Sequence, residues 1–177
     1  MEAPDVPLDE TQDHINEHAH ESRERWVLGV ALSTAILAAV AAIASLLAGQ
    51  RINEGMIYQI RESDQWSYYQ AKGIKAGVLE SKDALLVAMG KSPDASDAAK
   101  AAQYGKEQAA LSTDAKTLGQ KAEADLEGHE KLASAVTFFQ IGIAISAISV
   151  LTKRRAFWYV GLVSGCVGLM YFGLAFK

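Results

Sequence analysis

Hydrophobic and charged positions are separated into blocks along this chain. Residues 26–49, 132–152 and 156–176 contain no Asp, Glu, Lys or Arg, whereas residues 50–131 carry charge throughout. A helix rises about 1.5 Å per residue and a bilayer's hydrocarbon core is about 30 Å thick, so roughly 20 apolar residues suffice to cross it. The three blocks are 24, 21 and 21 residues long. They therefore predict three transmembrane helices. A core helix of a soluble protein keeps one polar face, and these blocks have none. The first block is longer than the roughly 7–15 apolar residues of a secretory signal, and it follows an acid-rich head, so it reads as a retained anchor.

The charged middle reads as two helical arms. Prolines stand only at positions 4, 7 and 93, which leaves long stretches free of the strongest helix breaker. In Gly90-Lys91-Ser92-Pro93-Asp94 we read a helix-ending glycine, Ser92 as N-cap, Pro93 at the first helical position and an acid in the first turn. The arms 50–89 and 93–131 would then be 40 and 39 residues long, so the second returns the chain to the surface it left. In the first arm Ile52, Ser63, Ile74 and Leu85 recur every 11 residues, as do Met56, Ser67, Val78 and Met89. In the second, Tyr104, Leu111, Leu118 and Leu132 form a seven-residue ladder interrupted by Asp125, flanked by Ala101, Gln108, Ala115, Ala122 and His129. The expected hairpin interface is Trp66, Tyr68, Tyr69, Ile74, Val78, Leu111 and Leu118. Successive helical residues point about 100° apart, so at least one of Trp66, Tyr68 and Tyr69 must face away from the other arm.

The expected fold is an all-α membrane protein, with three transmembrane helices and a long antiparallel, coiled-coil-like hairpin outside the membrane. Its parts are an acidic head, helical or partly disordered, at 1–25; spans at 26–49, 132–152 and 156–176; a hairpin at 50–131 turning at 90–94; and a basic turn at 153–155.

The string from Glu62 through Trp66, Tyr68 and Tyr69 to Lys75 (ESDQWSYYQAKGIK), set between one apolar block and a later pair, resembles a group of bacterial membrane proteins. They are classed as domain of unknown function 4337. The resemblance implies a multi-pass protein of the bacterial inner membrane and brings no activity, cofactor or catalytic residue with it.

Charge sets the expected orientation. Basic residues in short loops stay in the cytoplasm, and Lys153, Arg154 and Arg155 form the short loop here. Arg23 and Arg25 agree with a cytoplasmic N-terminus, and Lys177 is a single opposing charge. The hairpin is then periplasmic or otherwise extracytoplasmic, as is the C-terminus. Trp26, Phe157, Trp158 and Tyr159 would lie at the inner interface, and Tyr171, Phe172 and Phe176 near the outer one. Cys166, the single cysteine, allows no intrachain disulfide.

Candidate sites are packing sites. Gly161 and Gly165, with Ser164 and Gly168, Gly142 and Ser146, and Ala31, Ala35 and Ala39, repeat small residues four apart, the spacing that lets helix backbones approach in lipid. Gln140 is expected to hydrogen-bond across helices near a span centre. No span carries an Asp, Glu, Lys, Arg or His, which argues against a proton-coupled pump. Folding the arms about Lys91 would set Tyr58 opposite Asp125 and Glu54 opposite His129, a polar layer at the hairpin base. His14, His18 and His20, with Glu17 and Glu21, form a poor metal set, and we expect a solvated acidic helix instead. With 8 acids against 2 bases, residues 1–25 would repel nucleic acid and anionic lipid.

No phosphate-binding loop, dinucleotide fingerprint, nucleophile elbow or cysteine cluster occurs, so we expect no enzyme and no cofactor. The expected role is a structural or accessory homo-oligomer whose partners are membrane lipid, further copies of itself and an unidentified membrane protein. The alternatives are an oligomeric channel lined by the Ala-rich first span and gated by the hairpin, and a membrane sensor lacking its own output domain.

Overall fold

A computed structural model describes residues 25–176, and the head with its three histidines lies outside them. The chain is all-α. It forms α1 (Arg25–Ala88), α2 (Ala95–Thr152) and α3 (Arg155–Leu174), with no strand among the described residues. All three helices are long and apolar enough to cross a membrane. Neither α1 nor α2 breaks where an apolar block gives way to a charged one, because no proline or capping sequence interrupts the backbone there.

Both turns are closed by a left-handed residue. Gly90 has φ 73°, its amide donates to the Val87 carbonyl at 2.9 Å, and Lys91 N–H reaches the Leu86 carbonyl at 2.9 Å. This is a Schellman motif, and glycine is the residue that adopts it without steric cost. The second turn repeats the pattern at Lys153, with φ 53° and the Arg154 amide donating to the Ser149 carbonyl at 3.2 Å. Its Cβ carries the penalty that Gly90 avoids.

The expected start of the second arm is corrected. Helix α2 begins at Ala95, and Asp94 caps it, not Ser92. The Asp94 carboxylate accepts from the Ser96 amide at 2.9 Å, and the Asp94 carbonyl accepts from the Asp97 amide at 3.0 Å. The Asp94 amide itself donates to the Asp83 carboxylate at 3.3 Å. Pro93 therefore precedes the cap. Asp94 is tied on both sides, by its carboxylate to the Ser96 amide and by its own amide to Asp83, and its negative charge faces the positive end of the helix.

The described chain divides into two compact units, one of α1 up to Arg51 with the chain from Glu127 onward, the other of Ile52–Leu126. The first is a three-helix bundle. Its core joins Leu37, Ala41, Ala44 and Ala48 of α1 to Leu132, Ala135, Phe139 and Ile143 of α2, with Ala31 against Ala147 beyond. Buried positions of α1 fall at Val27, Val30, Thr34, Leu37, Ala41, Ala44 and Ala48, alternately three and four residues apart, a heptad seam. Helix α3 adds a face of glycines, with Gly161, Gly165 and Gly168 buried. Around this interior the outer surface holds Leu28, Leu32, Ile36, Leu46, Leu151 and Val163, each more than half exposed.

The second unit is an antiparallel hairpin. Its α2 seam is the predicted ladder: Tyr104, Leu111 and Leu118 are half-buried, and Ala115, Ala122 and Asp125 are buried. Its α1 seam differs from the eleven-residue pattern. The positions turned inward are Gly55, Tyr58, Glu62, Gln65, Tyr69, Lys72, Ala76, Leu79, Asp83 and Leu86, again three and four apart. Met56, Ser63, Ser67, Ile74, Val78, Leu85 and Met89 are exposed.

Candidate functional site

In the three-helix unit the closest approach lies between α2 and α3. A Cβ built on Gly142 would sit 2.8 Å from the Gly161 carbonyl oxygen, and one on Gly161 would sit 2.8 Å from the Gly142 carbonyl oxygen. Both distances are inside carbon-oxygen contact, so the two backbones touch because neither residue has a side chain. Ser146 lies at the same crossing, 1% exposed, and its hydroxyl has no partner there. One turn along α3, a Cβ on Gly165 would meet Leu37 at 2.8 Å, and one on Gly168 would meet the Phe139 ring at 2.7 Å. Thus Gly142, Ser146, Gly161, Gly165 and Gly168 come together in one interface. The first helix behaves differently. Ala31 is buried, but Ala35 and Ala39 are exposed, because the buried positions of α1 follow the 3–4 heptad and a strict four-residue step leaves it within two turns.

Two hydrogen bonds fix α3 and were not foreseen. The Ser164 hydroxyl donates to the Phe138 carbonyl at 2.8 Å, and the Trp158 indole N–H donates to the Ser33 hydroxyl at 3.1 Å. The indole also covers Gly29, where a Cβ would lie 3.3 Å from the ring. The Arg155 guanidinium stands over the Trp26 ring at 5.5 Å. The sequence hint was the concentration of aromatic residues beside the basic turn. Gln140 is exposed on the outside of the unit, not turned toward a neighbouring helix of the same chain. Cys166 is also exposed.

The hairpin seam is polar and ion-paired. Lys72 reaches Glu107 at 2.5 Å and stands over the Tyr104 ring at 5.1 Å. Its hydrogen bond to Glu107 raises the ammonium pKa and, as the first cause, lowers that of the carboxylate. Lys82 pairs with Asp97, which is 4% exposed, and this contact raises the lysine pKa. Asp94 is lowered chiefly by the Ser96 amide. The Gln108 amide donates to the Tyr69 carbonyl at 3.1 Å and passes over Gly73, where any Cβ would collide with it at 2.6 Å.

The aromatic string is split by its helix. Trp66 and Tyr69 meet edge to face with centroids 5.5 Å apart, and Trp66 N–H donates to Glu62 at 3.2 Å. Tyr68 points outward, 60% exposed. Of the residues expected in the hairpin interface, Trp66, Tyr69, Leu111 and Leu118 are half-buried, whereas Tyr68, Ile74 and Val78 are on the outside.

The expected polar layer is not assembled as drawn. The Lys121 ammonium stands over the Tyr58 ring at 5.7 Å, one helical turn from the Asp125 that folding about Lys91 would place there. Asp125 packs instead against Gly55, where a Cβ would be 3.5 Å from the aspartate Cβ. His129 Nδ1 lies 2.9 Å from the Ala48 carbonyl and donates to it, while Glu54 is exposed. The ion pairs Lys82–Asp97 and Lys72–Glu107 hold the register that differs from the symmetric fold.

Matched over residues 26–177 is a family model described as Domain of unknown function (DUF4337). The chain belongs to this family. That model spans all three described helices and the segment Glu62 to Lys75 on which the resemblance rested. Comparison with curated proteins and with solved structures gives no match.

Proposed function

We propose that this DUF4337 protein is a multi-pass membrane protein of structural or accessory role, anchored by the three-helix unit and working as an assembly of several copies. The observation that carries this reading is the apolar outer surface of the charge-free stretches in that unit. Alanine, glycine and serine line much of the interior around Val30, Leu37, Leu132 and Phe139, while leucine and isoleucine cover the outside of three charge-free stretches. In water the hydrophobic effect drives the largest apolar side chains inward. In lipid that drive vanishes between helices, and close backbone packing of small residues takes its place. The basic turn Lys153, Arg154, Arg155 belongs on the cytoplasmic side by the rule that short basic loops are retained, which sends the hairpin outward.

The test uses the full chain in bacterial membranes. Retention in the pellet after alkaline carbonate extraction, with a Ser92→Cys label accessible from outside in a Cys166→Ala background, is the expected result. Release into the supernatant would overturn the membrane reading. Labelling only in inverted vesicles would reverse the orientation, and a particle of one chain in mild detergent would remove the assembly. The channel reading has less support, since Ala41, Ala44 and Ala48 are spent on packing inside the unit.

A further inference from the structure

Among the described residues, nothing covers the most apolar face of the hairpin unit. Beginning at Ile57 and stepping alternately three and four residues to Ala88, ten positions of α1 form a second heptad seam, and every one of them is exposed. Ile57 is 48% exposed, Ile60 60%, Ile74 69%, Val78 62% and Leu85 62%. The remaining positions of the seam are small, with Asp64 its single charge. The inward seam of the same helix carries Glu62, Lys72 and Asp83. Charges are thus turned in and β-branched aliphatics out, opposite to what a hairpin standing alone in water would select.

We propose that this outward face is a copy-to-copy interface, in which α1 of one chain packs lengthwise on α1 of a second chain as a parallel coiled-coil-like pair. The partner is argued from the pattern. A stripe of 3–4 spacing from Ile57 to Leu85, about 42 Å long, is complemented by a helix of the same spacing and length, and each copy brings one. Five aliphatic side chains at about 100 Å² apiece give about 500 Å² per copy and about 1,000 Å² for a pair, where specific association begins. A seam with one charge offers nothing for a strongly charged partner to recognise. An interface built from one patch meeting its own copy is self-complementary by construction. The inference rests on the membrane reading above, because insertion in one orientation aligns the copies of α1 in parallel and in register.

Asp64 then lies beside its counterpart. A single polar residue in such a seam fixes register at some cost in stability.

The test uses the full-length protein in its membranes with Cys166→Ala as background. Under mild oxidation Ile74→Cys and Val78→Cys are expected to give a product of twice the chain mass, at least tenfold more than Lys100→Cys on the exposed side of α2. The paired variant Ile74→Lys, Val78→Lys is expected to lower the copy number seen by native mass spectrometry, with helix content and membrane retention unchanged. Cross-linking no greater than at Lys100, or a product that is not a multiple of the chain, overturns the interface whether or not the charged variant folds. Unchanged copy number in the paired variant overturns it as well. Release of the unsubstituted protein by carbonate instead overturns the membrane reading, a result the cross-links do not decide.

Discussion

Gly161→Ala tests whether backbone contact between α2 and α3 is what holds the third helix. The added Cβ would meet the Gly142 carbonyl oxygen at 2.8 Å and crowd the Ser146 hydroxyl as well. The hydroxyl can rotate, but the carbonyl belongs to an intact helix and cannot. Restoring a contact of about 3.3 Å requires the helices to part by about 0.5 Å, and a gap of that size forfeits roughly a quarter of the dispersion well for atoms along the crossing. Overpacking of this kind costs about 1–3 kcal/mol. The control is Gly173→Ala, where a Cβ meets nothing within 4 Å and the substitution gains up to about 1 kcal/mol of helix propensity. Reversible unfolding in mixed micelles, followed by circular dichroism against the mole fraction of denaturing detergent, measures both. The expected result is a lower midpoint for Gly161→Ala and an equal or higher one for Gly173→Ala. If Gly161→Ala matches Gly173→Ala, the glycines are not spacing elements and the packing site is misassigned.

Other expectations follow from single contacts. Lys153→Gly should stabilise the protein by about 1 kcal/mol in the same assay, since it removes a Cβ from a left-handed backbone, whereas Gly90→Ala should destabilise by a similar amount. Trp158→Phe should cost about 0.5–1.5 kcal/mol by removing the indole N–H that donates to the Ser33 hydroxyl, which keeps its own bond to the Val30 carbonyl, and Ser33→Ala combined with it should cost little more. Asp94 and Glu107 have folded-state pKa values below their ordinary 3.8 and 4.5, so they favour the hairpin above those values and that contribution fades as pH falls through the depressed ones. Acid titration of helix content should therefore show loosening below about pH 4, and Asp94→Asn, which keeps a capping oxygen, should reduce the part due to the cap.

Legibility of this chain depended on whether a helix face had one job or two. Three apolar blocks and a proline-tipped turn located all three helices, because block length and the scarcity of breakers suffice to determine them. The α2 ladder from Ala101 to Leu132 was readable too, since its apolar and small residues serve one seam. What the pattern concealed was register. The cap moved two residues from Ser92 to Asp94, and the pairing moved by a turn, a shift the pattern hides because many Lys-Glu pairings such as Lys72–Glu107 are compatible with the same spacing. The α3 anchors were hidden for a related reason. Ser164 donates to a backbone carbonyl, and Trp158 to a serine 125 positions away, contacts that leave no periodic trace.

Helix α1 in the hairpin shows why hydrophobic spacing predicts burial only when the unit of folding is known. Ile74 and Val78 mark a real apolar face, yet they lie opposite the seam that packs on α2. The apolar side of a single helix does not say which of two partners it awaits. The polar composition of the intrachain seam resolves the ambiguity physically. Glu62, Lys72 and Asp83 can turn inward because the hairpin is narrow, which leaves the Lys72 and Glu107 side chains about a third exposed and so spares them full desolvation. The reverse holds for the outer face, whose isoleucines gain nothing from water and have no partner among the described residues. A seam that tolerates charge inside and a stripe with a single charge, Asp64, outside are what the proposed copy-to-copy contact requires, since that contact would supply the apolar core that two thin helices lack.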